Sequence, residues 1–331
     1  MPVVIRAESD FFRLAPLVDI MVNPANEMGA AGAGISKEFR DRVPGFYERW
    51  NRRCKLGHFK IGQPHAYRDH AQMNYTILSV ATKRHWKDPS ELEYIERALR
   101  DIREYLLALP ERKYMTVAMP ALGCGNGQLD RSIVIPMIYD LLDDLDNVVH
   151  LSMRESDIGH FPKYLAIVGP RHLCSPEYEP KLERWQIEES RQYVDECVKS
   201  ALATWGLAWS DFDAVVSGGA DGVDAIACGL DRQHPSYLQS LAHRYHAVPP
   251  IICKADWPRF RKSAGYRRNQ TVADIGTHFV APFKVEDKVI PRSVGTVHTL
   301  DILRSINKHL PSEHRKRVLT FGHEDYTVFN S

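Results

Sequence analysis

The sequence predicts an α/β protein made of two successive units, each a sheet of parallel strands covered by helices. Three observations lead there. Short apolar runs alternate with amphipathic helical stretches along most of the chain, which is the pattern of repeated strand–helix units. Several apolar runs end in glycine-rich loops, as parallel strands do where a helix follows and a ligand sits. The chain is also long, at 331 residues, where one domain takes roughly 100–200. A polar stretch at 153–162, carrying Gly159 and Pro162, reads as a linker between units 1–152 and 163–331.

In the first unit, residues 17–23 (LVDIMVN) read as a buried strand, 24–34 as a Gly/Ala-rich loop, and a helix starts at Ile35. Residues 76–81 form a second strand. Residues 91–109 place Leu92, Ile95, Leu99, Ile102 and Leu106 at helical spacing, with Ser90 as cap and Pro110 as stop. A strand at 115–119, a glycine-rich loop at 120–129, a helix at 132–145 and a strand at 148–151 complete the unit. In the second, strands at 164–168, 214–217, 250–253, 278–282 and 317–321 alternate with helices at 182–205, from Val223, at 266–275 and at 297–310. Loops at 169–180 and 218–222, and one through Gly295, join them.

Composition narrows the function classes. Lys+Arg (43) and Asp+Glu (42) nearly cancel, so the whole surface is no attractor for nucleic acid, although a local basic patch is. A hydrophobic share of 44% argues against wholesale disorder. No run of about 18 apolar residues exists to span a membrane, and MPVVIRAESDFF is too short and polar for a signal peptide. Cys54, Cys124, Cys174, Cys197, Cys228 and Cys253 form no CxxC pair and no zinc spacing. Neither a disulfide framework nor a metal is expected, which suits a reduced, cytoplasmic setting.

Two loops of the first unit carry chemistry. Asn23-Pro24-Ala25-Asn26 follows a strand and leads to Gly29, Gly32 and Gly34. Pro120 to Gly127 (PALGCGNG) repeats the arrangement. Glycines let backbone N–H groups approach phosphate oxygens, so the pair could clamp a pyrophosphate. Either loop alone would be weak evidence, since glycine punctuates any tight turn.

VNPAN followed by GAAGAGI, then MPALGCGNGQL, resembles the macrodomain family, an ADP-ribose-binding fold with a mixed sheet sandwiched by helices. Ala81-Thr82-Lys83-Arg84-His85-Trp86, with Leu92-Glu93-Tyr94-Ile95 after it, is similar to the branch containing DarG, an antitoxin that removes ADP-ribose from DNA bases. The human terminal ADP-ribose glutamate hydrolase is a relative. The resemblance covers residues 1–152. It implies an ADP-ribosyl glycohydrolase acting on nucleic acid or protein, with ADP-ribose as ligand and product and no required cofactor. It also implies roles. Asp10 would take the adenine amino group, with Phe11 beside it and Ser9 replacing the usual glycine. Asn26 would orient the distal ribose, and Lys83 would be catalytic, either neutral or as a cation. Asn23, Gly32, Gly34, Ile35, Leu122, Gly123, Cys124, Gly125, Asn126 and Gly127 would line the ligand. Two departures matter: Asn126-Gly127 stands where the glutamate hydrolases carry Asp, as in the DNA-directed branch, and Arg131 stands where a Trp is common. The alternative is a non-catalytic sensor or sponge.

Neighbouring residues have plainer readings. His85 reads as a structural or surface histidine, Asp130 as a helix cap, and Trp86 as a core residue. Arg49, Arg52, Arg53, Lys55 and Lys60, interleaved with Trp50, His58 and Phe59, form either a solvated helix face or a nucleic-acid surface.

The second unit carries SGGADGVD at 217–224, KADW at 254–257, GYRRN at 265–269 and SVGTVHT at 293–299. Four such loops in this order resemble the SLOG superfamily, Rossmann-like proteins that include the LOG enzymes, DprA and YspA, and most closely the YspA-like group. The resemblance implies that Gly218, Gly219, Asp221, Asp224, Arg268, Asn269, Gly295 and Thr296 line a nucleotide or NAD-derived ligand, and that the protein pairs as a homodimer. Asp224 could equally cap a helix. The LOG glutamate is missing, with His298 and Thr299 in that region, so sensing is favoured over LOG-type hydrolysis. Such fusions suit a conflict or defence setting by fold-level analogy.

Overall fold

The computed structural model describes residues 3–7, 10–108, 110–158, 161–171, 184–230, 239–283, 294–310, 312 and 315–321. The chain divides into two compact units, Met1–Phe161 and Pro162–Ser331.

In the first unit, β1 (Val3–Ala7), β2 (Ile20–Asn26), β3 (His65–Tyr67), β4 (Thr76–Lys83), β5 (Val117–Pro120) and β6 (Val149–Met153) form one sheet in the order β1-β6-β5-β2-β4-β3. Neighbours run parallel except β3, which lies antiparallel on β4. The sheet is therefore mixed. Side chains alternate between its faces. Ile20, Val22, Leu78 and Val80 meet α3 (Leu92–Leu107) and α4 (Arg131–Leu142). Met21, Ile77 and Ala81 meet Phe39, Phe46 and Trp50 of α1 (Gly34–Arg42) and α2 (Phe46–Lys55).

Several boundaries differ from the sequence reading, each for a local reason. Residues 11–17 form a 3₁₀ helix, Phe11–Leu17, because the Asp10 carboxylate accepts from the Phe12 N–H at 3.0 Å. The first predicted strand therefore starts at Ile20 and runs on to Asn26, so the NPAN tetrad lies in β2 rather than in a loop. β4 reaches Lys83. Ser90 does not cap α3: Glu91 holds that place without a side-chain bond, while Ser90 is buried with its Oγ unpartnered. Asp130 does cap α4, accepting from the Ser132 N–H at 2.8 Å.

Pro24 shapes the sheet. β2 keeps its register with β4 through Pro24↔Val80, but its pairing with β5 covers only Ile20↔Val117 and Met21↔Ala118. The Pro24 carbonyl accepts from the Ser36 hydroxyl at 2.8 Å instead of from a strand. The Ile20 N–H donates to the Thr116 carbonyl beside β5, and every second residue of a strand points the same way, so the N–H that Pro24 lacks would face the β5 side, where Pro120 lacks one as well. The sheet splits there, between the carboxyl ends of β2 and β5.

The second unit holds β7 (Tyr164–Ile167), β8 (Ala214–Ser217), β9 (Pro250–Ile252), β10 (His278–Pro282) and β11 (Arg317–Phe321), all parallel, in the order β11-β10-β7-β8-β9. Successive strands step one way from β7 and the other way from β10, so the switch point lies between them. One face packs on α5 (Arg184–Trp205) and α6 (Val223–Cys228). After the short α7 (Trp257–Phe260), α8 (Ala264–Ile275) packs on β7, β8 and α9 (Val294–His309). The helix placed at 297–310 begins at Val294, so Gly295 and Thr296 lie in its first turn and not in a loop. The expected loop at 169–180 and the start of the helix at 182 fall largely outside the described residues, as do Cys174 and Ser293.

Among the described residues, five cysteines are unpaired and buried, and no cluster of metal-ligating groups occurs. No described helix is long and apolar enough to cross a membrane.

Candidate functional site

The first site sits at the carboxyl edge of β2, β4 and β5. Lys83 ends β4 and is the register partner of Asn26, which ends β2. A register shift between Ala25 and Asn26 marks a bulge there, a common device for re-aiming a side chain. Lys83 is nine-tenths buried. Its ammonium donates to the Asp88 carbonyl at 2.8 Å and to the Asn126 carbonyl at 2.9 Å. Burial pushes its pKa below the usual lysine value, and the Asp88 carboxylate offsets this in part. An ammonium has three donors, so two are engaged and one remains. Lys83 thus points into the loops and not to bulk solvent.

The two glycine loops meet at this edge. A Cβ on Gly34, whose φ is +62°, would lie 3.2 Å from Asn126 Nδ2. Gly32 and Gly125 face open space: a Cβ added at either would meet nothing within 4 Å. The other loop residues are packing elements. Leu122 and Cys124 lie in the core, and a Cβ added at Gly123 or Gly127 would collide with Ile95 or with Ser90. Ile35 is half-buried.

Asn26 closes its own turn: Nδ2 donates to the Ala30 carbonyl at 2.8 Å, and Oδ1 accepts from the Ala30 N–H at 3.1 Å. One N–H and one lone pair remain for a ligand. Asn23 is fully buried, donating to Ser79 Oγ and accepting from Ser36. The structure thus places it inside the sheet as an internal polar tie. Asp10 is gripped by Arg42 through both carboxylate oxygens, at 3.1 and 3.0 Å. That bond is the main cause holding its carboxyl below the ordinary range. Phe11 belongs to the core; it is Phe12 that lies under the Arg42 guanidinium, 4.8 Å from the ring centroid.

Trp86, expected in the core, is 53% exposed, because it follows the end of β4 on an outward turn. Trp50 and Phe59 are fully buried, so the basic segment 49–60 has no exposed Trp or Phe for base stacking, and α2 presents only a charged face to solvent. Arg131 pairs with Asp157 at 2.9 Å.

In the second unit, Arg268 joins the predicted loops. Its guanidinium donates to the Gly218 carbonyl at 2.7 Å and to Asn269 Oδ1 at 3.0 Å, and lies 3.8 Å from Asp224. Asn269 in turn donates to the Gly295 carbonyl at 2.9 Å. The arginine is thus committed to main-chain and side-chain partners within the protein. Asp224 is buried and accepts from the Ala220 N–H at 3.3 Å, folding the loop back on itself, and burial raises its pKa. Gly219 takes φ +63°, Asp221 is half-buried and Thr296 is buried. The motifs do not by themselves disclose the exposed rings of Trp257 and Tyr266, the latter edge-on to His298 at 4.6 Å.

Comparison with known proteins bears on the first unit. A Macro domain family matches residues 22–138. A DNA ADP-ribosyl glycohydrolase of Thermus aquaticus is 33% identical over 133 residues, 40% of this chain and 36% of that protein. A Mycobacterium tuberculosis protein of the same description is 33% identical over 137 residues, 40% of this chain and 38% of its own. The chain therefore spans little more than a third of the length of these curated relatives. Among solved structures, the macrodomain of Thermus aquaticus DarG is 28% identical, with a TM-score of 0.40, covering 46% of this chain and 99% of the other. Thermosipho africanus DarTG in complex with ADP-ribose is 27% identical, with a TM-score of 0.42, covering 48% and 43%. The N-terminal unit of this chain contains a Macro domain.

Proposed function

We propose that the N-terminal unit hydrolyses the glycosidic bond between ADP-ribose and a nucleic-acid base. The observation that carries this reading is the buried Lys83 ammonium, held by two carbonyls at the edge where the glycine loops meet. Two carbonyl acceptors favour the protonated form, while burial makes it a stronger acid than an ordinary lysine. Lys83 then serves as a cation and proton donor to the departing base. The bond from the ribose anomeric carbon to the base breaks, water adds its hydroxyl to that carbon, and the base leaves with the donated proton. The remaining proton of water returns to Lys83. Asn26 orients the ribose with its unengaged N–H and lone pair, and Gly32 and Gly125 leave room for the pyrophosphate. The names of the relatives support the acceptor class. The test is incubation with ADP-ribosylated single-stranded DNA and resolution of products by mass. Wild type should release ADP-ribose and Lys83→Ala should not.

One observation favours a non-catalytic binder: both Lys83 hydrogen bonds go to main-chain carbonyls, as those of a loop brace would. A wild type that binds ADP-ribose but leaves the modified strand intact would establish that reading instead. For the second unit, we propose a SLOG-like role in binding a nucleotide or NAD-derived ligand, with the chain acting as a homodimer. The convergence of the Gly218, Arg268–Asn269 and Gly295 segments supports it. Titration calorimetry of the full chain with NAD and with ADP-ribose, and its mass in solution, test both points.

A further inference from the structure

Trp86 is left unexplained by the site. It lies three residues beyond Lys83, at most about 11 Å along the chain, and holds an apolar ring more than half in water. Its ring stacks on His85, with centroids 5.8 Å apart and planes at 26°, and the Lys87 ammonium lies 5.2 Å from its centroid. The turn that carries it is fixed. The Asp88 N–H donates to the His85 carbonyl at 3.2 Å, the Lys87 N–H to His85 Nδ1 at 3.2 Å, and the Asp88 carbonyl holds the Lys83 ammonium. The Arg84 guanidinium lies 5.5 Å over Tyr94, at the wall of an adjoining groove of about 600 Å³. That groove mixes Lys60, Arg84, Arg97 and Arg100 with Glu27, Glu93 and Glu96. Such mixed charge does not suit a long anionic track, so contact with a strand is local.

Resting on the glycohydrolase reading of the Lys83 edge, we propose that the His85–Trp86 pair is a stacking platform for the base next to the modified nucleotide in a single-stranded acceptor, with Arg84 and Lys87 meeting the flanking phosphates. Aromatic platforms flanked by cations hold unpaired bases of any sequence. A duplex keeps its bases stacked on each other, and a peptide offers no base.

The experiment uses the full chain as wild type, Trp86→Phe and Trp86→Ala. Three substrates are compared: an ADP-ribosylated oligonucleotide, the same strand with abasic residues on both sides of the modified nucleotide, and the ADP-ribosylated nucleoside. Loss of one base–aromatic stack should raise wild-type KM for the abasic strand by about 5- to 150-fold, with kcat little changed. Trp86→Ala should show the same rise on the intact strand and none further on the abasic one, and Trp86→Phe should keep most of the wild-type value. Equal wild-type KM for the intact and abasic strands would overturn the proposal. So would an equal loss by Trp86→Ala on all three substrates, which would make the ring a support of the catalytic edge. Failure of wild type to cleave any of the three overturns the glycohydrolase reading itself, a result visible without any variant.

Discussion

Replacing Gly127 with alanine should break the Lys83 site from within, whereas Gly125→Ala, two residues earlier, should spare the fold and damage only ligand binding. A Cβ at 127 would lie 2.3 Å from the Gly123 carbonyl oxygen and 2.4 Å from Ser90 Oγ. The first neighbour is backbone, so the loop itself must shift by about an ångström to reach ordinary contact. Overpacking of this kind costs about 1–3 kcal/mol. For a unit of this size, a loss of about 2 kcal/mol lowers Tm by about 4–8 °C. Asn126 adjoins Gly127 and holds the Lys83 ammonium at 2.9 Å, so the same shift loosens Lys83, and on the proposed hydrolysis a misplacement of about 1 Å costs about 100-fold in rate. At Gly125 a Cβ meets nothing within 4 Å, so Tm should stay within about 2 °C, the scale of a neutral surface change. The methyl would instead occupy the space between the loops and weaken ADP-ribose binding. Scanning calorimetry and ADP-ribose titration measure both. The reasoning is refuted if Gly125→Ala is destabilised as much as Gly127→Ala, or if it binds ADP-ribose as wild type does.

Further outcomes follow from the placement of Lys83, Arg268 and Trp50. Lys83→Met should lower kcat by about 10²–10⁴, the usual weight of a proton donor, and wild-type activity should fall as pH rises through the lowered Lys83 pKa, earlier than an ordinary lysine would allow. The stability sign is opposite: between the folded and unfolded pKa values the unfolded chain binds more protons, so wild type gains stability with rising pH, and Lys83→Met removes that gain; urea titrations across pH check it. Arg268→Ala strips partners from Gly218, Asn269 and the buried Asp224 and should cost about 3 kcal/mol, read as a lower denaturation midpoint for the second unit, with Arg268→Lys only a partial rescue. Trp50→Ala should cost about 3–5 kcal/mol, since the ring is fully buried, while Arg52→Ala and Arg53→Ala should leave Tm within a few degrees; equal effects would contradict the placement of the α2 rings in the core.

Legibility from sequence follows locality. The second unit's strands at Ala214–Ser217, His278–Pro282 and Arg317–Phe321 are readable at both ends, because each is a short apolar run with a stop signal on either side: Asp213 and Gly218, Thr277 and Pro282, Lys316 and Gly322. β1, α2 and β3 are not. β1 is five residues that enter a polar stretch, β3 is three residues following Pro64, and α2 hides its buried Phe46, Trp50 and Cys54 among four cationic neighbours, Arg49, Arg52, Arg53 and Lys55. The two glycine loops that meet at the Lys83 edge are visible as glycine and asparagine spacing. The division of labour within them is not. Whether Asn23 meets a ligand or Ser36 and Ser79 depends on contacts 13 and 56 residues away, and Lys83 reaches Asn126 across 43 residues. Local pattern carries no such information.

The split at Pro24 has a consequence for how the first site is entered. A gap held by a missing N–H is written into covalent structure, so β2 and β5 lack one of the hydrogen bonds with which they could zip together across the site. A ligand arriving there finds a vestibule already shaped by the backbone, and the strand ends need not be pried apart before it can settle.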